Sequence, residues 1–388
     1  MRYFLAPVVA ALAACCADAP AAAPTPLRAA APATLLIGTA ADPHHLADPA
    51  VAALIATHFN ALTPENAFKP AALQPKPGQF TFAAADQLAD FAARHRLALI
   101  GHALCWHEQS PRWMYEDAAG KPLARDAALA NLRTHIVTVA AHFRGKVRGW
   151  DVVNEALAEP VPDLRPAADK GPADLRDTPA RRAIGDDYLA HAFRFAREAD
   201  PAAELYYNDF NIELPVKRAR AVRLLRTLKA ANVRVDAVGI QAHWHLDHPA
   251  LADIDAAITA FKAEGVKVML TELDIDVLPT HTPGADLQAT RGHGPDPYRD
   301  ACPPAVLAAQ AKRYADIFTL VNKHTDTVTR VTLWGTHDAH SWLNNYPVRN
   351  RTNHPLLFDR KLKPKPAFDA VLNALRTPDP QPRSCERE

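Results

Sequence analysis

The 388-residue sequence predicts an α/β fold, a (β/α)8 TIM barrel that forms a single catalytic domain. Eight short apolar runs alternate with segments of helical period, and the runs are too continuously apolar to belong to a half-exposed sheet. Such an alternation builds a parallel sheet covered by helices, and eight units favour closure over an open sheet. A third observation marks the working end. Every run but the first leads into a cluster of polar or aromatic residues, as strands do at the C-terminal mouth of a barrel, where catalytic groups sit.

The strands are expected at 34–39, 59–62, 97–104, 147–153, 204–207, 237–241, 266–272 and 328–334. Apolar residues recur at helical spacing over 83–95, 126–143, 186–198, 216–230, 251–264 and 304–324. A last helix over 366–375 opens on Pro366, a residue tolerated in the first turn. Asp126 stands where an N-cap is expected, and Asp200-Pro201 ends a helix before the fifth strand. Two long connections, 159–185 and 276–303, leave the fourth and seventh strands on the catalytic side, as lids or groove walls or as idle insertions. The 34 prolines gather in the loops and at the chain ends and spare the strands.

Arg2 precedes an apolar stretch over 3–14 that is too short to span a bilayer and suits the core of an export signal. Leu12-Ala13-Ala14-Cys15 is similar to a lipobox, in which Cys15 becomes the lipid-bearing first residue. The expected plan is a signal peptide over 1–16, an Ala/Pro-rich tether over 17–32, the barrel over 33–377 and a Pro-rich tail over 378–388. An exported protein is expected, secreted or held as a periplasmic or cell-surface lipoprotein, touching a membrane only through that anchor. A formal net charge of +1 offers no polybasic surface for nucleic acid. A monomer without cofactor is expected. Cys105 reads as a buried thiol, and Cys302 and Cys385 are candidates for a disulfide in an oxidising compartment.

The strand ends hold the chemistry. They carry Asn60, Glu65, Asn66 and Lys69; His102, Trp106, His107 and Gln109; Asn154 and Glu155; Asn208 and Asp209; Gln241, His243 and His245; Glu272 and Asp274; and Trp334, followed by Trp342. Indole faces stack on pyranose C–H surfaces, and amides, imidazoles and carboxylates bond the hydroxyls, so this is an inventory for sugars. Glu155 and Glu272 each close an apolar strand. A pair of carboxyl groups flanking a glycosidic bond divides the work of cleavage between a proton donor and a base or nucleophile.

Five segments resemble the motifs of glycoside hydrolase family 10, the endo-β-1,4-xylanase family, and occur in that family's order. They are FNALTPENAFK at 59–69, GHALCWHEQ at 101–109, WDVVNEAL at 150–157, TELDI at 271–275 and WGTHDAHSWL at 334–343. The resemblance spans 33–375 and implies a retaining mechanism with Glu272 as nucleophile and Glu155 as general acid/base. It places His243 beside the nucleophile with Asp274 bonded to its other nitrogen, and Asn154 on the sugar 2-hydroxyl. It implies that Glu65, Asn66, Lys69 and Gln109 hold a sugar one unit further from the cleavage point. His102, Trp106, Gln241, Trp334 and Trp342 would line the central subsite, with xylan and xylo-oligosaccharides as partners.

The chain departs from the family pattern at Phe68, Pro70 and Phe210, where methionine, tryptophan and tyrosine are common. Two other enzymes remain open from sequence. A broad β-1,4-glycanase on the same barrel would differ in accommodating the C6 hydroxymethyl of glucose, a difference worth only about 1–3 kcal/mol, with Gln109 and Trp342 as the candidate wall. A metal-dependent hydrolase would use His243 and His245 with His102 or His107 as ligands, leaving the two glutamates unexplained. His107 and His245 are as readily structural as functional.

Overall fold

A computed structural model describes residues 25–159, 175–279 and 294–376. Its strands are β1 (Leu36–Ala41), β2 (Ala61–Pro64), β3 (Ala98–Trp106), β4 (Val147–Asn154), β5 (Glu204–Asp209), β6 (Ala237–Ile240), β7 (His243–His245), β8 (Lys267–Asp276) and β9 (Val328–Leu333). Strands β1 to β6 pair in chain order, β1 pairs with β9, β9 with β8, and β8 returns to β6, all parallel. The barrel is thereby closed. The expected sixth strand is present as β6, and just beyond it the backbone turns at Ala242, whose φ is +67°, and pairs again as β7 opposite Asp274 to Asp276.

The helices Ala83–His95, Arg125–His142, Tyr188–Ala199, Pro215–Ala230, Leu251–Ala263, Pro304–Lys323 and Pro366–Arg376 fall where helical spacing places them. One expected cap is corrected. Ala124 takes the N-cap position and Asp126 lies inside the first turn, where its charge faces the positive end of the helix. The helix Pro49–His58, which crosses from β1 to β2, is missing from the sequence reading because its Ala-rich run has no polar face to set a period. Asp48 caps it by accepting from the Ala50 N–H at 2.8 Å. Pro70, one of the departures, opens the short helix Pro70–Leu73 in the first-turn position that proline suits. Part of the connection over 159–185 is also ordered, as the helix Pro179–Ile184, whose Thr178 side chain accepts from the Arg181 N–H.

Glycine makes room for the largest side chains of the barrel wall. A Cβ on Gly101 would come within 2.0 Å of the Trp150 ring, and one on Gly149 within 2.2 Å of the Tyr206 hydroxyl. Both aromatic residues are buried. Inside the barrel Ile100, Tyr206, Ala237 and Met269 form a small cluster beneath the mouth.

The expected start of the barrel at 33 is too late. Leu27–Ala30 is helical, Leu27 is fully buried, and its helix packs on Pro366–Arg376 and Pro49–His58. An Ala/Pro-rich composition hides one anchoring leucine from a reading based on average character. The leader with Cys15, most of the tether, the tail with Cys385, and much of the two long connections lie outside the described residues. Cys105 is a buried thiol as expected, and Cys302 is a free, half-buried one.

Replacing Leu27 by alanine is expected to destabilise the barrel by about 2–5 kcal/mol through lost burial and the cavity left behind. Chemical denaturation of the purified variant checks this; an unchanged midpoint would return Leu27 to the tether.

Candidate active site

At the C-terminal mouth a cavity of about 200 Å³ is lined by Glu65, Asn66, Lys69, His102, Trp106, Gln109, Asn154, Glu155, Gln241, His243, Glu272, Trp334 and Trp342. These are the sugar-binding and carboxylate candidates from the sequence, brought together from seven strands. Asp274 stands behind them, bonded to two of the lining residues.

Glu155 follows β4 directly and is buried. Its Oε2 accepts from the indole N–H of Trp106 at 2.9 Å, and its Oε1 from Gln241 at 2.8 Å and Asn154 at 3.2 Å. Burial and then the nearby charge of Asp209 push its carboxyl up to about 7, against those hydrogen bonds. Glu272 is as buried but has other neighbours. Its Oε1 accepts from Asn208 at 2.8 Å, and its Oε2 lies 3.1 Å from His243 Nε2. Burial alone would raise it; the His243 hydrogen bond, with the imidazoles of His102 and His243 and the Asn208 amide, outweighs burial and holds it below the ordinary carboxylate range. One carboxyl is arranged to keep a proton and the other to lose it.

His243 is the pivot of the second half. Its Nδ1 lies 3.1 Å from Asp274 Oδ1, and Asp274 Oδ2 accepts from the Trp342 indole at 2.8 Å. Burial lowers the proton affinity of His243, but Asp274 and Glu272 on its two sides more than reverse this and raise it to about 10. The ring is therefore an imidazolium with both N–H groups engaged by carboxylates. His245 Nε2 bonds the Leu278 carbonyl at 2.8 Å and Nδ1 faces Asp247 at 3.2 Å. Neither histidine offers a free nitrogen lone pair to a metal, and among the described residues no group of three or more His, Cys, Asp or Glu side chains is arranged to hold one.

The other end of the cavity is built on Asp42, at the end of β1. Asp42 accepts from the Asn66 amide at 2.8 Å and from the Asn66 and Ala67 N–H groups, so Asn66 presents its carbonyl oxygen to Lys69 Nζ at 3.1 Å. Lys69 lies 4.8 Å over the Trp106 ring. Burial, then Asp42, push Glu65 up to about 7, and burial lowers Lys69 below its usual range. Trp334 meets the edge of His102 at 5.3 Å, while Trp342 lies against His243 and stacks on Tyr346 at 4.5 Å. Flat indoles beside bonded polar groups suit sugar rings.

The chain matches the sequence profile described as Glycosyl hydrolase family 10 over residues 27–374. It belongs to that family. "Endo-1,4-beta-xylanase A" of Xylanibacter ruminicola is 38% identical over 343 residues, covering 87% of this chain and 90% of the relative. "Endo-1,4-beta-xylanase" of Geobacillus stearothermophilus is 39% identical, covering 87% and 94%. Among solved structures, a GH10 endoxylanase retrieved from sugarcane soil metagenome superposes with a TM-score of 0.82 at 37% identity, covering 91% of this chain and 100% of the other. A mutant of an intracellular xylanase from Thermoanaerobacterium saccharolyticum, solved in complex with xylotriose, gives a TM-score of 0.76 at 36% identity, covering 91% and 99%.

Three residues support this family 10 site without lining its cavity. Asn208 bonds Glu272, Asp42 fixes Asn66, and Asp151 bonds His102 Nδ1 at 2.8 Å. Asn208 was visible in sequence as a strand-end amide; the other two gave no signal beyond lying in or beside strands. His107 lines a smaller cavity of about 90 Å³ behind Trp106, shared with Cys105, Tyr115 and Tyr188, and burial lowers it to about 3.

Outside the cavity, His44, His45, His337 and His340 form a chain of ring contacts at 3.9, 4.2 and 3.9 Å between the segments that follow β1 and β9. Burial first, then neighbouring imidazoles, lower His45 and His337 to about 4. Folded-state values below the unfolded 6.5 mean that the unfolded chain takes up protons first, so stability present above pH 6.5 falls as pH drops towards 4. Denaturation midpoints across that window are expected to fall with pH, and the fall is expected to shrink in a His337→Gln/His340→Gln variant.

His243 is expected to remain protonated through pH 8 and to titrate near 10. Histidine side-chain NMR, with Asp274→Asn as the comparison that lowers this value, checks it.

Proposed function

We propose that the chain is an endo-1,4-β-xylanase that cleaves internal β-1,4-xylosidic bonds of xylan and xylo-oligosaccharides with retention of configuration. The observation that carries this reading is the opposed proton affinity of two buried carboxyls in one cavity lined by indoles and amides, Glu155 pushed up to about 7 and Glu272 held below the ordinary carboxylate range. The xylanase relatives and the xylotriose-bound structure support the substrate class.

In the first step the Glu272 carboxylate attacks the anomeric carbon while Glu155 gives its proton to the departing sugar oxygen, leaving a glycosyl ester on Glu272. Esterification removes the negative charge of Glu272, which lowers the proton affinity of Glu155 and readies it as a base. Glu155 then takes a proton from water as the water oxygen attacks the anomeric carbon and Glu272 leaves. Asn154 bonds the 2-hydroxyl of the reacting sugar, and His243 with Asp274 holds Glu272 at its attacking angle. His102, Trp106, Gln241, Trp334 and Trp342 surround that sugar. Glu65, Asn66, Lys69 and Gln109 take the next one, with Gln109 and Trp342 disfavouring a C6 hydroxymethyl.

The apolar 3–14 stretch and the Leu12-Ala13-Ala14-Cys15 sequence support export, with lipid attachment at Cys15 and a tether to the barrel.

Reducing-sugar release from xylan and from carboxymethyl cellulose by the chain from Ala17 onward tests the activity. Xylan is expected to be the preferred polymer, and Glu272→Gln to lower kcat on the order of 10⁴-fold or more, as for a group acting in the transition state. Equal action on both polymers would replace the reading with a broad β-1,4-glycanase, and inactivity of the folded protein on both would overturn it.

A further inference from the structure

Two buried side chains beside the acid/base have no part in the two steps above. Lys217, on the Pro215–Ala230 helix, and Asp209, the last residue of β5, are both fully covered. A buried ammonium is costly unless it is paired. Lys217 Nζ donates to Asp209 Oδ1 at 2.8 Å and to Glu159 Oε1, and lies 3.8 Å over the Phe210 ring. The phenylalanine that departs from the family pattern thus faces a cation rather than offering a hydroxyl.

Asp209 accepts three further bonds, from the Tyr207 hydroxyl at 2.5 Å, the Phe210 N–H at 2.9 Å and the Leu157 N–H at 3.3 Å. Four donors on one carboxyl suit its anionic form. The Leu157 bond fastens it to the turn that carries Glu155, whose φ of +57° lies in the left-handed region and whose N–H donates to the Asn208 carbonyl at 2.8 Å. Asp209 therefore acts on Glu155 in two ways, by anchoring the turn that carries it through Leu157 and by placing a negative charge nearby.

Resting on the reading of Glu155 as the acid/base, we propose that Asp209 is a positioning residue that keeps Glu155 protonated for glycosylation, with Lys217 holding Asp209 in place as an anion. Other charged groups among the described residues also face Glu155. Glu272 faces it across the cavity from β8 and adds to the same effect, and Lys69 faces it from beyond β2 and opposes it. Arg176 Nε bonds the Glu155 carbonyl at 3.3 Å. Burial, then Arg176 and Lys217, keep His107 neutral, and burial keeps the Tyr188 hydroxyl neutral near Asp209. Glu159 lies on the far side of Lys217.

The test is the pH dependence of kcat/KM on an unsubstituted xylo-oligosaccharide, where glycosylation needs a proton from Glu155. The parent enzyme is expected to lose activity on an alkaline limb near pH 7, and Glu155→Gln to abolish that limb. Asp209→Asn is expected to move the limb to lower pH by about one unit, the effect of removing one close like charge. The Asp209→Asn/Lys217→Met variant removes the buried cation with its partner, guarding against misfolding, and is expected to move the limb the same way by less. The displacement is expected to vanish on a dinitrophenyl xylobioside, whose leaving group departs without a proton. A lower kcat with an unmoved limb in both variants would reduce Asp209 to a structural part and overturn the proposal. A limb that persists in Glu155→Gln would instead overturn the acid/base assignment itself.

Discussion

The side-chain amide of Asn208 donates to Glu272 Oε1 and to Asn154 Oδ1, at 2.8 Å in each case, while its carbonyl oxygen accepts from the Thr271 hydroxyl. Asn154 in turn donates to Glu155. A single hydrogen-bonded path therefore runs from one carboxyl to the other through two amides, and neither glutamate can shift without disturbing it. Adjacent strand ends make the path possible. Asn154 and Asn208 are register partners on β4 and β5, Trp106 is the partner of Asn154 on β3, and His243 is the partner of Asp274 across β7 and β8. Catalytic geometry here is a consequence of sheet register, with β3, β4, β5 and β8 paired on both sides and β7 held by β8.

Burial would push both carboxyls towards the neutral form, so the difference between them lies in what each one faces. Glu272 meets an imidazolium and an amide donor. Glu155 meets amide and indole donors and the nearby charge of Asp209. The imidazolium exists because His243 is held between two carboxylates, and Trp342 and the β7–β8 pairing fix that sandwich. Opposed proton affinities for identical functional groups are thus obtained from neighbours supplied by β5, β7 and β8.

Eight apolar runs and the intervening helices were legible because covered parallel strands and helices have distinct periods, and the strand ends that carry Glu155 and Glu272 were legible for the same reason. The motifs located the lining residues, since all but Trp342 lie within five residues of a strand end and the barrel converges all such ends on one mouth. What composition hid was local. Leu27 sat in an Ala/Pro-rich stretch that averaged away its anchoring role, and the helix Pro49–His58 had no polar face to reveal its period.

The sequence by itself determined the closed barrel, its polar mouth and the identity of the two carboxyls, because these depend on periodicity and on residue type at strand ends. Tertiary structure supplied the neighbours that raise Glu155 and lower Glu272, the carboxyls on both sides of His243, and the contacts made by Asn208, Asp42, Asp209 and Lys217. Most of those contacts join residues tens of positions apart in the chain, and proton affinity depends on distance and burial, neither of which a linear sequence displays.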